Sequence, residues 1–171
     1  LDRRFVFEAF FDPEEPGMAV EFKIRAASLA DAQAVSEVYL SSRKKFIAYA
    51  PLVHSDENVC EWIAQQLLPL GGVRVAVLRH EIIGMMALSD DGVFRWIDHL
   101  YLKPEYTHQG YGSLLINAAQ EELRPPIRLY TFQANPGARR FYEKFGFIPI
   151  EYGDGSGNEE HCPDVLYERA A

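Results

Sequence analysis

Hydrophobic and polar positions along this chain follow two rhythms, which switch at glycines, prolines and acidic turns. Val20-Glu21-Phe22-Lys23-Ile24 alternates with the period of two expected of a strand with one buried face. Ser28-Leu29-Ala30-Asp31 reads as a capping box, in which a hydroxyl and a carboxylate satisfy the free N–H groups of a helix start. The helix it opens places Leu29, Ala32, Val35, Val38 and Tyr39 on one inward face. A second helix starts at Ser55-Asp56-Glu57-Asn58, turns Val59, Trp62, Ile63 and Leu67 inward, and stops at Pro69 and Gly71-Gly72. Strands are predicted at about 73–78, 81–88 and 93–102, with turns at Arg79-His80 and Asp90-Asp91-Gly92.

Beyond the third of these strands, a helix runs from Ser113 to the break at Pro125-Pro126. Strand 127–133 leads to a helix capped by Asn135, and strands near 147–152 and 164–168 flank the loop Gly153 to Pro163. This order predicts an α/β (α+β) fold: a mixed, largely antiparallel sheet with helices on both faces. Residues 20–171 read as a single domain. Residues 1–19 do not fit that pattern. Phe5, Val6, Phe7, Phe10 and Phe11 cluster ahead of the breaker Asp12-Pro13-Glu14-Glu15-Pro16-Gly17. The segment is either an extension before a start at Met18 or a patch that packs on a neighbouring subunit in a homodimer.

Composition narrows the function classes. At 171 residues and 48% hydrophobic content, the chain can bury a full core without disulfide staples. A net charge of −8 argues against nucleic acid and mildly favours a cationic partner. Cys60 and Cys162 stand in unlike contexts, and His161-Cys162 lacks the ligand count of a metal site, so neither disulfide nor metal is expected. No apolar run approaches the roughly 20 residues that span a bilayer, and the first residues do not resemble a secretory signal. A cytoplasmic protein is the expectation.

Two segments carry candidate chemistry. The first runs Leu100-Tyr101-Leu102 into Thr107-His108-Gln109-Gly110-Tyr111-Gly112 and the helix at Ser113. Two glycines two apart let backbone N–H groups converge beside the positive end of a helix, which is a docking place for phosphate; the same spacing also serves a plain tight turn. The second, Asn135 to Phe147, is one capped helix: Asn135 caps it, Pro136 suits its first position and Gly146 its end. Ala138, Phe141, Tyr142 and Phe145 form its apolar stripe, and Arg139 can pair with Glu143 on the wet face. The Tyr142 hydroxyl lies on that stripe and needs a partner, a core carbonyl or something functional.

Taken together, the glycine loop and the Asn-to-Gly-Phe helix resemble the GNAT superfamily of acyl-CoA-dependent N-acyltransferases. The resemblance runs from about Ile24 to Glu168 and is strongest from Trp96 to Phe147. It implies acetyl transfer from acetyl-CoA to a primary amine of a small molecule or peptide, with a non-catalytic acyl-CoA-binding module as the alternative. It also implies a splayed central strand pair holding the cofactor's pantetheine arm, to which Leu100, Tyr101 and Leu102 belong. The pyrophosphate loop falls on Thr107, His108, Gln109, Gly110, Tyr111, Gly112 and Ser113. Thr107 replaces the usual first residue of that motif, while Gln109 keeps a polar side chain beside the phosphates. Asn135, Ala138 and Arg139 match positions around the cofactor, with capping and cofactor binding competing for the Asn135 side chain. Tyr142 matches the family tyrosine that approaches the cofactor sulfur and is expected to act as general acid.

The base is a choice between neighbours. Alternation along 93–102 puts Phe94, Trp96, Asp98 and Leu100 on one face and Arg95, Ile97 and His99 on the other. Asp98 is favoured on parity, whereas His99 has the more convenient pKa but faces inward only if a bulge turns it. Tyr39, Phe46, Tyr49 and Trp62 are candidate walls for the acceptor. Glu159 and Glu160 in the late loop are either a solvated turn or a wet acidic rim that attracts an ammonium group.

Overall fold

In the computed structural model of the chain, residues 7–8, through their backbone, and 21–170 are described. The expectations for residues 1–19 lie outside them, apart from the backbone pairing of Phe7 and Glu8. The elements are β1 (Phe7–Glu8), β2 (Phe22–Ala26), α1 (Ala32–Phe46), α2 (Asp56–Trp62), α3 (Leu68–Leu70), β3 (Val73–Leu78), β4 (Glu81–Asp90) and β5 (Arg95–Leu102). They continue with α4 (Tyr111–Glu122), β6 (Ile127–Phe132), α5 (Pro136–Lys144), β7 (Ile148–Tyr152) and β8 (Asp164–Arg169). One sheet joins the strands in the order β1-β2-β3-β4-β5-β6-β8-β7. Every pairing is antiparallel except β5 with β6.

Helices cover both faces, and each face has its own core. On one side Leu115, Ile116 and Ala119 of α4 pack with Ile83, Met86 and Ile97 of the sheet, joined by Phe141 and Tyr142 of α5. On the other side Val35, Val38 and Tyr39 of α1 and Val59, Ile63 and Leu67 pack on Val75, Met85 and Ala87. β4 contributes to both cores, so Ile82 to Leu88 is an unbroken buried run rather than an alternating one.

Local signals explain most boundaries. The capping box at Ser28 is present, and Ser28 N–H donates to Asp31 Oδ2 at 2.7 Å. A 3-10 turn, Leu29–Asp31, precedes α1 and turns Leu29 outward, 64% exposed, so the predicted inward face begins after it. Ser55 caps α2 by accepting from Asn58 N–H, and Asn135 caps α5 by accepting from Ala138 N–H at 3.0 Å. The expected ion pair on α5 takes another form. Arg139 Nε donates to the Tyr167 hydroxyl at 3.1 Å, and that hydroxyl donates to Glu143 Oε1 at 2.8 Å.

Two irregularities in β5 position the site. Its parallel pairing with β6 covers only Arg95 with Ile127 and Trp96 with Arg128, after which the two strands diverge. Its pairing with β4 slips, so that Ala87 faces His99 while Leu88 faces Ile97 and Asp98 is the extra residue of a β-bulge. The bulge overturns the simple alternation expected for this strand. Ile97, Leu100 and Leu102 join the α4 side, while His99 and Tyr101 turn to α1 and α2.

Candidate active site

The divergence of β5 from β6 opens a cleft of about 770 Å³ on the α1 side of the sheet. Asp98, His99 and Tyr101 form one wall, Thr131 and Phe132 the opposite wall, and the loop after β7 closes the far end. Lys103 N–H donates to Ile83 carbonyl at 2.9 Å, so this end of β5 turns the backbone groups of alternate residues toward β4. Leu100 and Leu102 therefore aim their N–H and C=O groups at the opening, where β6 has withdrawn. Tyr101, grouped with them by resemblance, turns its backbone to β4 and pairs with Met85.

The glycine loop lies at the α4 end of this opening. Gly110 has φ 90°, a left-handed conformation that glycine adopts without penalty. The N–H groups of Ser113 and Leu114 both donate to its carbonyl, at 2.9 and 3.2 Å. No side chain caps the helix, so the N–H groups of Tyr111 and Gly112 open its first turn without a backbone acceptor among the described residues. The two glycines have different jobs. A Cβ on Gly110 would meet nothing within 4 Å, whereas one on Gly112 would touch Leu102 and Phe141 at 3.6 Å. Gly112 thus serves close packing, and Gly110 supplies the left-handed residue that turns the chain into the helix. The polar side chains brace the loop from within: Thr107 Oγ1 donates to Pro104 carbonyl and Gln109 Nε2 to Glu105 carbonyl, both at 2.8 Å. The Gln109 amide nitrogen is therefore engaged inside the loop.

Tyr142 projects from α5 into the α4-side core, against Phe141, Phe147 and Tyr167. Its hydroxyl makes no hydrogen bond to a described residue; burial, and then the neighbouring Tyr101, push its pKa well above that of an ordinary tyrosine. The phenol keeps its proton at neutral pH. Asn135 spends its side-chain oxygen on the α5 cap, and Arg139 reaches Tyr167 and Tyr152.

Asp98, at the bulge, is exposed to the cleft, and desolvation raises its pKa above the usual carboxylate value, with the Ser89 hydroxyl opposing the rise. His99 is caged by Tyr39, Trp62 and Tyr101, whose ring centroids lie 5.6, 5.7 and 6.0 Å away. Burial, aided by the Arg43 guanidinium and opposed by Glu160, pushes its pKa down to about 4. A histidine that is neutral when folded and titrates near 6.5 when unfolded adds stability that is complete above pH 6.5 and lost as pH falls toward 4. His99→Phe, which keeps a ring in the cage, should remove about 2–4 kcal/mol of the decline in unfolding free energy across that window. Chemical denaturation at a series of pH values reads the difference. Equal slopes in parent and variant would mean that His99 titrates normally when folded.

The late loop is neither wholly a solvated turn nor wholly a wet acidic rim, the two alternatives its sequence left open. Glu160 is largely buried and its Oε1 accepts from Arg43 Nη2 at 2.6 Å, while Glu159 is exposed and meets His54 at 3.1 Å. Of the expected acceptor walls, Tyr39 and Trp62 surround His99, Tyr49 packs edge-on to Phe132, and Phe46 is exposed. Arg43 was missed at the sequence level, although it lies four residues after Tyr39 on the buried stripe of α1, an unusual place for a cation. The cleft is acidic on balance, with Asp98, Glu151, Asp154, Glu160 and Asp164 set against Arg43.

Comparison with known proteins agrees with this geometry. Residues 34–147 match the family model described as Acetyltransferase (GNAT) family. The chain is 28% identical over 155 residues to a spermidine N(1)-acetyltransferase of Thermoplasma acidophilum, covering 80% of this chain and 94% of that protein. A solved PaiA N-acetyltransferase from Thermoplasma acidophilum, in complex with coenzyme A, superposes with a TM-score of 0.69 at 27% identity, over 88% of this chain and 99% of that one. The ribosomal-protein-S18-alanine N-acetyltransferase of Escherichia coli shares the fold, with a TM-score of 0.68 at 13% identity over 87% of this chain and 93% of that one.

Proposed function

The chain belongs to the acetyltransferase (GNAT) family, which uses acetyl-CoA, and from that premise we propose that it acetylates a primary amine that carries positive charge, by direct attack with both substrates bound. The observation that carries this reading is the divergence of β5 from β6, with unpartnered backbone donors on one side of it and an acidic cleft on the other. The described residues fit the cofactor. The N–H groups at the start of α4 suit its pyrophosphate, and the free backbone edge of Leu100 and Leu102 suits its arm, in the manner of an added strand. When bound, acetyl-CoA supplies an acetyl group activated as a thioester.

The chain's own groups then handle charge and protons. Acidic residues around the cleft attract a protonated amine, which must lose a proton before it can attack. Asp98, presented by the bulge and partly desolvated, takes that proton, directly or through one water. Backbone N–H groups of Leu100 or Leu102 stabilise negative charge on the acetyl oxygen. Tyr142 Oη gives its proton to the departing sulfur; its raised pKa keeps that proton in place beforehand. The likeness to a spermidine acetyltransferase supports a cationic acceptor.

Acceptor charge provides the test. With acetyl-CoA, free-thiol release should be faster with diamines and polyamines than with neutral amines of similar length, and added salt should narrow the gap. Equal rates would remove the cationic-acceptor reading. With the best acceptor, the parent's kcat should rise with pH through the raised Asp98 titration, and Asp98→Asn should lower kcat and flatten that acidic limb. A limb unchanged in Asp98→Asn would transfer the proton to His99 or to water.

A further inference from the structure

Arg43 lies outside every motif, yet it is a buried cation on the cleft with several elements packed around it. It leaves α1 three residues before its end and is 7% exposed. Its Nη2 donates to Glu160 Oε1 at 2.6 Å and to Ala50 carbonyl at 3.3 Å. The guanidinium carbon stands 6.0 Å from the ring centres of both Tyr39 and Phe132, and its charge bears on the Tyr101 hydroxyl of β5. One cation thus joins α1, the segment after it, β5, β6 and the late loop. Burying it costs desolvation energy, which only well-placed partners offset, and its Nε is buried without one among the described residues.

Apolar side chains would fill this volume at lower cost, so the charge calls for a reason. We propose that Arg43 is a positioning residue for acetyl transfer: paired with Glu160, it fastens the late loop as the end wall of the acceptor cleft and sets the charge surroundings of His99 on the β5 wall. The proposal rests on the acetyltransferase reading above. Gln133, just after β6, ties the two ends of the loop, its Nε2 donating to the Gly153 and Asp164 carbonyls at 2.9 and 3.0 Å. Between those ends the loop is held mainly to itself, so its middle depends on the Arg43 pair. Asn158 Nδ2 donates to Cys162 carbonyl and Asp164 Oδ2, and Gly155 lies so close to the Cys162 backbone that a Cβ would approach within 2.8 Å. Across the cleft, Glu160 is its buried tie and the His54–Glu159 contact its exposed one.

His99 is where a positioning role and a packing role predict different results. Charged and titratable groups stand around it on the neighbouring elements: Tyr39 and Arg43 on α1, Asp98 and Tyr101 on β5, Tyr130 on the β6 wall of the same cleft, and Glu160 on the loop, while α2 offers the indole of Trp62. Arg43 disfavours a second cation there, and Glu160 favours one. The two members of one ion pair should therefore move His99 in opposite directions.

The experiment uses Arg43→Met, Glu160→Gln and the double variant in the full chain. NMR titration of the His99 imidazole should show its midpoint moving up in Arg43→Met and down in Glu160→Gln. In kinetics, each single variant should raise the acceptor KM by about tenfold or more, because each leaves one buried charge uncompensated. The double variant should be less impaired than the product of the singles, since it leaves neither charge alone. Thermal stabilisation by CoA, which depends on the other side of β5, should stay near that of the parent in all three. Arg43→Lys, which keeps the charge but loses the fork, should leave the His99 midpoint near the parent value while still raising KM. A His99 midpoint that stays put, or moves the same way in both single variants, overturns the proposal. So does a double variant whose defects simply multiply. If the parent acetylates no amine, the acetyltransferase reading fails on its own, and the His99 titrations still decide the role of Arg43.

Discussion

Tyr142→Phe is expected to lower acetyl turnover about a hundredfold while leaving CoA affinity nearly unchanged. The change removes one oxygen from a side chain whose ring packs against Phe141, Phe147 and Tyr167, so the core keeps its volume. Removing a buried hydroxyl usually leaves its former partner stranded, but Tyr142 Oη has no hydrogen-bond partner among the described residues, so stability should change little. What is lost is a proton donor at the departing sulfur, needed only as the thiolate leaves. A hundredfold loss corresponds to about 2.7 kcal/mol of barrier, within the range of general acid catalysis. Parallel decreases in kcat and kcat/KM, with an unchanged CoA dissociation constant, are the expected pattern. Full turnover in the variant would return Tyr142 to the role of a core tyrosine.

The second large effect is on cofactor binding, and it falls on Gly110 rather than on the neighbouring glycine. At a hundredfold excess over its dissociation constant, CoA should add about 2.7 kcal/mol of apparent stability, roughly 5–10 °C in Tm for a chain of this size. Gly110→Val should abolish most of that shift. A Cβ there enters open space beside the start of α4, and φ 90° is strained for a branched residue. Strain alone could distort the loop, so Gly110→Asn is the companion variant: asparagine accepts positive φ more readily but still places a side chain in that space. Loss of the CoA shift in both variants, with near-normal Tm values without ligand, locates the pyrophosphate there. A shift that survives in both would move the anion elsewhere. Gly112→Ala should be milder, because its Cβ only touches Leu102 and Phe141.

Local chemistry made much of this legible in the sequence. The α5 cap, the Asp90–Gly92 turn and the glycine loop are each specified within a few residues, and the structure places them at the predicted positions. The bulge at Asp98 is different. Nothing in Arg95 to Leu102 marks it, because it arises from the fit of β5 to β4, two residues against one, and it reverses every side-chain direction beyond it. That is why parity put His99 on the wrong face. Glu160 was misread for a related reason: an acidic, glycine-rich run looks solvated until its partner is known, and that partner lies 117 residues earlier, in α1. The cation on the buried stripe of α1 was the visible sign that a distant anion had to exist. The way Tyr167 receives Arg139 and donates to Glu143 had no comparable sign, since a buried strand tyrosine is common.

The central claim is transfer of acetyl from the thioester to an amine, and a product-balance measurement tests it most directly. The protein is incubated with acetyl-CoA and a panel of diamines, polyamines, neutral amines and peptide amines, and free CoA and acetylated amine are quantified in the same sample. The two products should form in equal amounts, fastest with a cationic acceptor and strongly reduced in Tyr142→Phe. Tight binding of acetyl-CoA with no acetylated amine from any member of the panel would contradict it and leave an acyl-CoA-binding module.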